Sequence, residues 1–202
     1  MNEEPNTNYA ELSGLVDAEP QFSHETRGER FYSFPVRIRR LSGTADVIQV
    51  LVRQTTILTE DLHTGQPVHV FGQLRSYNNK SGVGPKLMLH VFAKELNTQP
   101  MEDRNDILLH GTICKQPNFR TTPMGREICD FMLAVNRKYG RSDYLPCIAW
   151  GQKARLLACL DVGTVLSLRG RIQSRQYIKV INDLPVEKTA YEVSLIDFEE
   201  AE

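Results

Sequence analysis

What the chain lacks narrows its class first. Its 202 residues hold no apolar run near the roughly 18 residues that a membrane-crossing helix needs. The start, Met1-Asn2-Glu3-Glu4-Pro5, has neither a basic segment nor an apolar one, so no secretory leader is expected and the cytoplasm is the expected compartment. Cysteine is scarce. Cys114, Cys129, Cys147 and Cys159 form no Cys-x-x-Cys pair, which points to free, mostly buried thiols and away from a zinc site. No Gly-x-Ser-x-Gly elbow and no phosphate-binding glycine loop occurs. The five histidines, His24, His63, His69, His90 and His110, show no metal-ligand spacing and read as surface-facing or hydrogen-bonded side chains. No metal, cofactor or catalytic activity is therefore expected.

Charge is nearly balanced overall, with a formal net charge of -1, but it is unevenly spread. From Ile107 to Val180 twelve Lys and Arg stand against Glu127, Asp130, Asp143 and Asp161. Nine stand against four acids between Arg27 and Lys86. The compensating carboxylates sit outside, six in residues 1–26 and seven in residues 181–202. A basic central stretch in each half is what a polyanion site requires, because binding draws on the phosphates neutralised locally and not on whole-chain charge. Within those stretches acids are too few for a two-metal nuclease centre.

The chain repeats itself. A shift of 97 residues lays Asn8, Leu12, Gly14, Pro20, Phe22, Gly28, Phe34, Arg40, Gly43 and Asp46 on Asn105, Leu109, Gly111, Pro117, Phe119, Gly125, Phe131, Arg137, Gly140 and Asp143. One residue further along, Gly65-x-x-Val68 and Gly72-Gln73-Leu74 match Gly163-x-x-Leu166 and Gly170-Arg171-Ile172. The polar, proline-broken stretch Asn97–Asp103 reads as a linker, giving domains 1–99 and 104–202.

Each half reads as short strands. In the second, strands are expected at Ile107–Ile113, Glu127–Val135, Leu145–Trp150, Val165–Val180 and Ala190–Phe198, with a helix at Gln152–Leu160. In the first, Thr55–Leu62 supplies the helix and Leu87–Leu96 the last strand. Five strands with one helix between the third and fourth, twice over, predict an all-β chain of two tandem OB-folds, small Greek-key barrels.

Such barrels hold single-stranded nucleic acid by stacking bases on aromatics in a basic groove. The second half places Tyr139, Tyr144, Trp150 and Tyr177 near strand ends, interleaved with Arg137, Lys138, Arg141, Lys153, Arg155, Arg169, Arg171, Arg175 and Lys179. Phe119 and Phe131 read as core. Alternation puts Trp150 on the face of Pro146 and Ile148, opposite Cys147 and Ala149, which leaves a core location open for it.

At these residues the sequence resembles the bacterial single-stranded DNA-binding proteins. The resemblance rests on Leu133-Ala134-Val135, Trp150-Gly151-Gln152-Lys153-Ala154, the run from Gly163 to Ile172, and Ser174-Arg175-Gln176-Tyr177. It covers Asp106–Phe198 well and Asn8–Leu96 more faintly. It implies base stacking by Tyr139, Tyr144, Trp150 and Tyr177, and single-stranded DNA as the partner. Four OB domains per assembly is usual in that family, which here implies a homodimer. The matching positions of the first half are Ser42, Val47, Arg53 and Asn79, none of them aromatic. Tyr77 lies two residues from Asn79 on the same strand face, and Arg40, Arg53 and Arg75 keep the basic character. The chain closes in a short acidic end, Asp197–Glu202, directly after the last strand, so recruitment of replication or repair proteins through a long acidic tail is not expected. Beside sequence-tolerant strand binding stand two other readings: a primosome-type OB accessory protein, and a protein-interaction scaffold with weak DNA binding.

Overall fold

The glycines shared by the two halves show how each barrel closes. The computed structural model describes residues 8–58, 62–79, 85–138, 140–181 and 184–201. In the first barrel, β1 (Asn8–Val16) pairs antiparallel with β5 (Pro67–Asn78) from Ala10↔Gly72 to Leu15↔Pro67, and with β3 (Glu29–Arg39) at Leu15↔Arg37 and Val16↔Val36. A Cβ on Gly14 would stand 2.3 Å from the Arg37 carbonyl oxygen, so only glycine lets β1 and β3 approach. β2 (Gln21–Thr26) extends β3 as a hairpin whose turn carries Arg27 at φ 51°. β3 pairs with β4 (Ala45–Arg53), and β4 runs parallel to β6 (Leu87–Asn97) at Val50↔Val91 and Leu51↔Phe92. With β5 beside β6, the ring closes as β1-β3-β4-β6-β5-β1.

The second barrel repeats the circuit with β7 (Arg104–Thr121), β8 (Glu127–Asn136), β9 (Ser142–Trp150), β10 (Val165–Ile181) and β11 (Leu184–Glu200). β9 and β11 are the parallel pair, at Val193↔Cys147 and Ser194↔Ile148, and β10 returns to β7. Gly111 serves β7 as Gly14 serves β1: its Cβ would stand 2.5 Å from the Ala134 carbonyl oxygen. A parallel third and fifth strand inside a closed five-strand ring is the OB topology, so both halves are OB-folds, as the repeat predicts.

The helices sit where expected and differ in length. α1 covers only Gln54–Ile57; of the expected span, residues 59–61 lie outside the described residues. α2 covers Gln152–Ala158 and buries Ala154 and Leu157. Strands β10 and β11 outrun expectation, paired from Leu166↔Glu200 to Ile181↔Leu184.

By packing the chain forms two compact units, one of Tyr9–Arg75 with His90–Ile107, the other of Ser76–Leu89 with Leu108–Glu202 and the residues up to Asn8. Period-two alternation fills each interior. Leu12, Phe34, Val36, Val50, Val70 and Val91 are fully buried in the first barrel; Ile113, Leu133, Val135, Leu145, Leu157 and Leu166 are in the second. Each such side chain contributes roughly 1.5–3 kcal/mol on burial.

Polar burial is paired. Glu11 accepts hydrogen bonds at one oxygen from His69 Nε2 at 2.9 Å and from Arg104 at 2.8 Å. Burial alone would raise the Glu11 pKa; the bonds from Arg104 and His69 outweigh it and hold the carboxyl below its ordinary value. His69 is thus a hydrogen-bonded interior histidine. Two expectations need correction. Phe119 is 40% exposed and is not core: it stands near the Thr121↔Glu127 end of the β7–β8 hairpin, exposed although its cross-strand partner Cys129 is buried. Of the cysteines, Cys129 and Cys147 are buried but Cys159 is exposed past the end of α2.

Candidate nucleic-acid interface

The outer face of β9 carries the aromatics. Its burial alternates, with Asp143, Leu145, Cys147 and Ala149 inward and Tyr144 and Trp150 outward, 52% and 39% exposed. Pro146 and Ile148 lie between them on the same face, and Ile148 is covered. Cross-strand partners continue this surface onto β8: Ala134 opposite Tyr144, Met132 opposite Pro146, Asp130 opposite Ile148. Trp150 is therefore an outer-face residue. Gly151, at φ 58°, turns the chain into α2 immediately after it, and the Gly151 N–H donates to the Glu127 carbonyl at 3.0 Å.

A groove of about 520 Å³ opens beside that face. Met132, Pro146, Arg175, Tyr177, Lys115 and Lys86 line it, with the carboxylates of Asp130 and Glu192. Tyr177 lies on β10 with the Arg175 guanidinium 5.9 Å from its ring centroid, and Glu192 pairs with Arg175 at 3.6 Å. The groove's cations are thus partly balanced from within. Lys115 and Tyr191, a further lining residue, were not singled out from sequence. Lys115 sits at a bulge where strand periodicity breaks, and Tyr191 belongs to no repeated motif.

Several cations have other engagements. Arg137 forks onto Asp143, its Nε donating to Oδ2 at 2.7 Å and its Nη2 to Oδ1. Asp143 is fully buried, and its Oδ1 also accepts the Ser76 N–H at 2.7 Å. Ser76 Oγ accepts the Tyr144 N–H at 2.9 Å, so this ion pair fixes the backbone that carries Tyr144. The first barrel repeats the fork: Arg40 Nε and Nη2 donate to Asp46 at 2.7 and 2.6 Å, and the bond to Asp46 holds the Arg40 pKa above its ordinary value. Lys153 donates to the Ile196 carbonyl and lies 3.3 Å from Asp197. Arg75 donates to Gln73. Lys138 and Arg141 are exposed in the turn after β8, and Arg171 is half-buried on β10 opposite Ser194. Lys179 lies on β10 opposite Val186, its side chain outside the described residues, as is the whole of Tyr139.

In the first barrel the matching positions hold other chemistry. Ser42 Oγ lies 2.9 Å from Thr44 Oγ1, and Asn79 donates to the Pro85 carbonyl at 3.3 Å. Tyr77 is half exposed. Arg53 pairs with Glu29 at 2.9 Å and lies over Phe92. Burial raises the thiol pKa of Cys129 to about 11, helped by Asp130, and that of Cys147 far higher. Neither thiol supplies a nucleophilic thiolate at neutral pH. Among the described residues no three His, Cys, Asp or Glu side chains gather as a metal site, and no helix is long and apolar enough to cross a membrane.

The chain has similar proteins. Residues 104–199 match the single-strand binding protein family. Single-stranded DNA-binding protein 1 of Lactococcus lactis is 34% identical over 80 residues, covering 36% of this chain and 53% of its own length. Single-stranded DNA-binding protein A of Bacillus subtilis is also 34% identical over 80 residues, covering 36% and 46%. The matches thus span about half the length of these curated relatives. Among solved structures, wild-type single-stranded DNA binding protein from Thermus aquaticus superposes with a TM-score of 0.76 at 21% identity, covering 96% of this chain and 93% of that one, a likeness of fold. The likeness to the single-strand binding protein family lies in the second barrel.

Proposed function

We propose that this chain binds single-stranded DNA with little regard to sequence, holding and protecting the strand during replication, recombination or repair without catalysing a reaction. The observation that carries the reading is the outward pair Tyr144 and Trp150 on β9, beside a groove with Tyr177, Arg175, Lys115 and Lys86. Aromatic faces take bases of any identity and cations take phosphates, so the pairing selects a polymer with unpaired bases and a charged backbone. A duplex hides its base faces and would use only the cations.

In this reading the working domains are 1–99 and 104–202, and two chains assemble as an isologous homodimer of about 46 kDa that presents four OB domains. It acts in the cytoplasm, on the nucleoid, alongside replication or repair proteins. The test is a titration with labelled oligo-dT at two salt concentrations. Binding is expected to weaken with salt by a log–log slope of about -0.7 per phosphate neutralised, and an equal-length duplex to bind far less. Equal affinity for duplex and single strand would overturn the reading.

A further inference from the structure

The first barrel lacks aromatics at the four matching positions, yet its outer face is not without stacking chemistry. Strand register equates the barrels: Leu51 faces Phe92 across the parallel pair β4–β6 as Ile148 faces Ser194 across β9–β11. Arg53 follows Leu51 by two residues, as Trp150 follows Ile148. Where the second barrel has an indole diagonal to a small Ser194, the first has a guanidinium diagonal to a phenyl ring. The Arg53 guanidinium lies 5.2 Å from the Phe92 centroid. Phe92 meets Phe31 at 6.3 Å, and the His24 imidazole stacks on Phe31 at 4.8 Å and 10°. Phe31 is buried beneath this cover, Phe92 is half-buried, and the Arg53 side chain is 44% exposed. Glu29, 2.9 Å from Arg53 Nε, balances the charge and holds the plane in place.

We propose that Arg53, lying on Phe92, is a base-stacking group of the first barrel, its guanidinium plane taking one base of single-stranded DNA at the position that Trp150 holds in the second. A guanidinium plane stacks bases as an aromatic ring does. An arginine already paired to a carboxylate is poorly suited to neutralise a phosphate, whereas its guanidinium, on a side chain 44% exposed, can still meet a base. Lysine at this position would keep the charge and the pairing with Glu29 but offer no plane. This site rests on the single-stranded DNA reading above.

The test is fluorescence anisotropy of the full chain with a labelled oligo-dT of about 32 nucleotides, the upper site size for two OB folds. Wild type is compared with Arg53→Lys, Arg53→Ala and Phe92→Leu, with thermal melting as the check on folding. Arg53→Lys is expected to melt like wild type, to weaken binding about fivefold or more, as much as Arg53→Ala, and to keep the wild-type salt slope. Phe92→Leu is expected to weaken binding in the same range. Tight binding by wild type with undiminished binding by Arg53→Lys overturns the stacking site and leaves the function standing. A wild-type chain that binds no oligonucleotide overturns both.

Discussion

At the outer ends of β4 and β9 the two barrels differ most. One ends in Arg53 paired to Glu29, the other in a partly exposed Trp150. Beneath that difference the frames agree. Arg40–Asp46 and Arg137–Asp143 are the same fork after the same strand, and Gly14 and Gly111 make the same close approach to a neighbouring carbonyl. Residues that close a barrel answer to geometry inside the chain, and both halves share that geometry. Residues on an outer face answer to what they touch, and there the halves have parted.

If the forks belong to the frame, breaking either should cost about the same. Asp46→Ala and Asp143→Ala each leave a guanidinium without its buried partner and are expected to destabilise by about 3–5 kcal/mol in urea unfolding. A loss in one barrel alone would break the equivalence. Gly14→Ala and Gly111→Ala force a Cβ to within 2.3 and 2.5 Å of a carbonyl oxygen and are expected to cost about 1–3 kcal/mol each by the same measurement.

On the outer faces the barrels should separate. Tyr144→Ala is expected to weaken oligo-dT binding by roughly 1–3 kcal/mol, and Val47→Ala, its counterpart, to leave affinity nearly unchanged. Equal losses would erase the asymmetry at that position. The smallest effect is acid sensitivity. The folded pKa of Glu11 lies below its ordinary 4.5, so its contribution is full above pH 4.5 and fades as pH falls through the lower folded value. Glu11→Gln should flatten that acid limb of the stability curve. An unchanged limb would remove Glu11 from the account.

Much of this was legible in the sequence. The 97-residue repeat predicts two OB barrels because glycines and alternating apolar residues recur in step, and period two places Tyr144 and Trp150 on one face. The forks were not legible. Arg40 and Arg137 look like any other cations in basic stretches, and only the fold brings each onto its aspartate. Phe119 was misread because alternation says nothing of where a hairpin outruns its cover: it stands near the Thr121↔Glu127 end of β7–β8 and stays exposed although its partner Cys129 is buried. The stack of Arg53 on Phe92 joins residues nearly forty positions apart across a parallel pairing, which local periodicity does not reach.

The central claim is that the outer face of β9 stacks bases, and the single tryptophan reports on that face directly. Titrating the chain with oligo-dT while following Trp150 emission should give strong, saturable quenching, reduced in affinity by Tyr144→Ala and reversed by salt. Saturable binding seen by anisotropy with Trp150 emission unchanged throughout would contradict it.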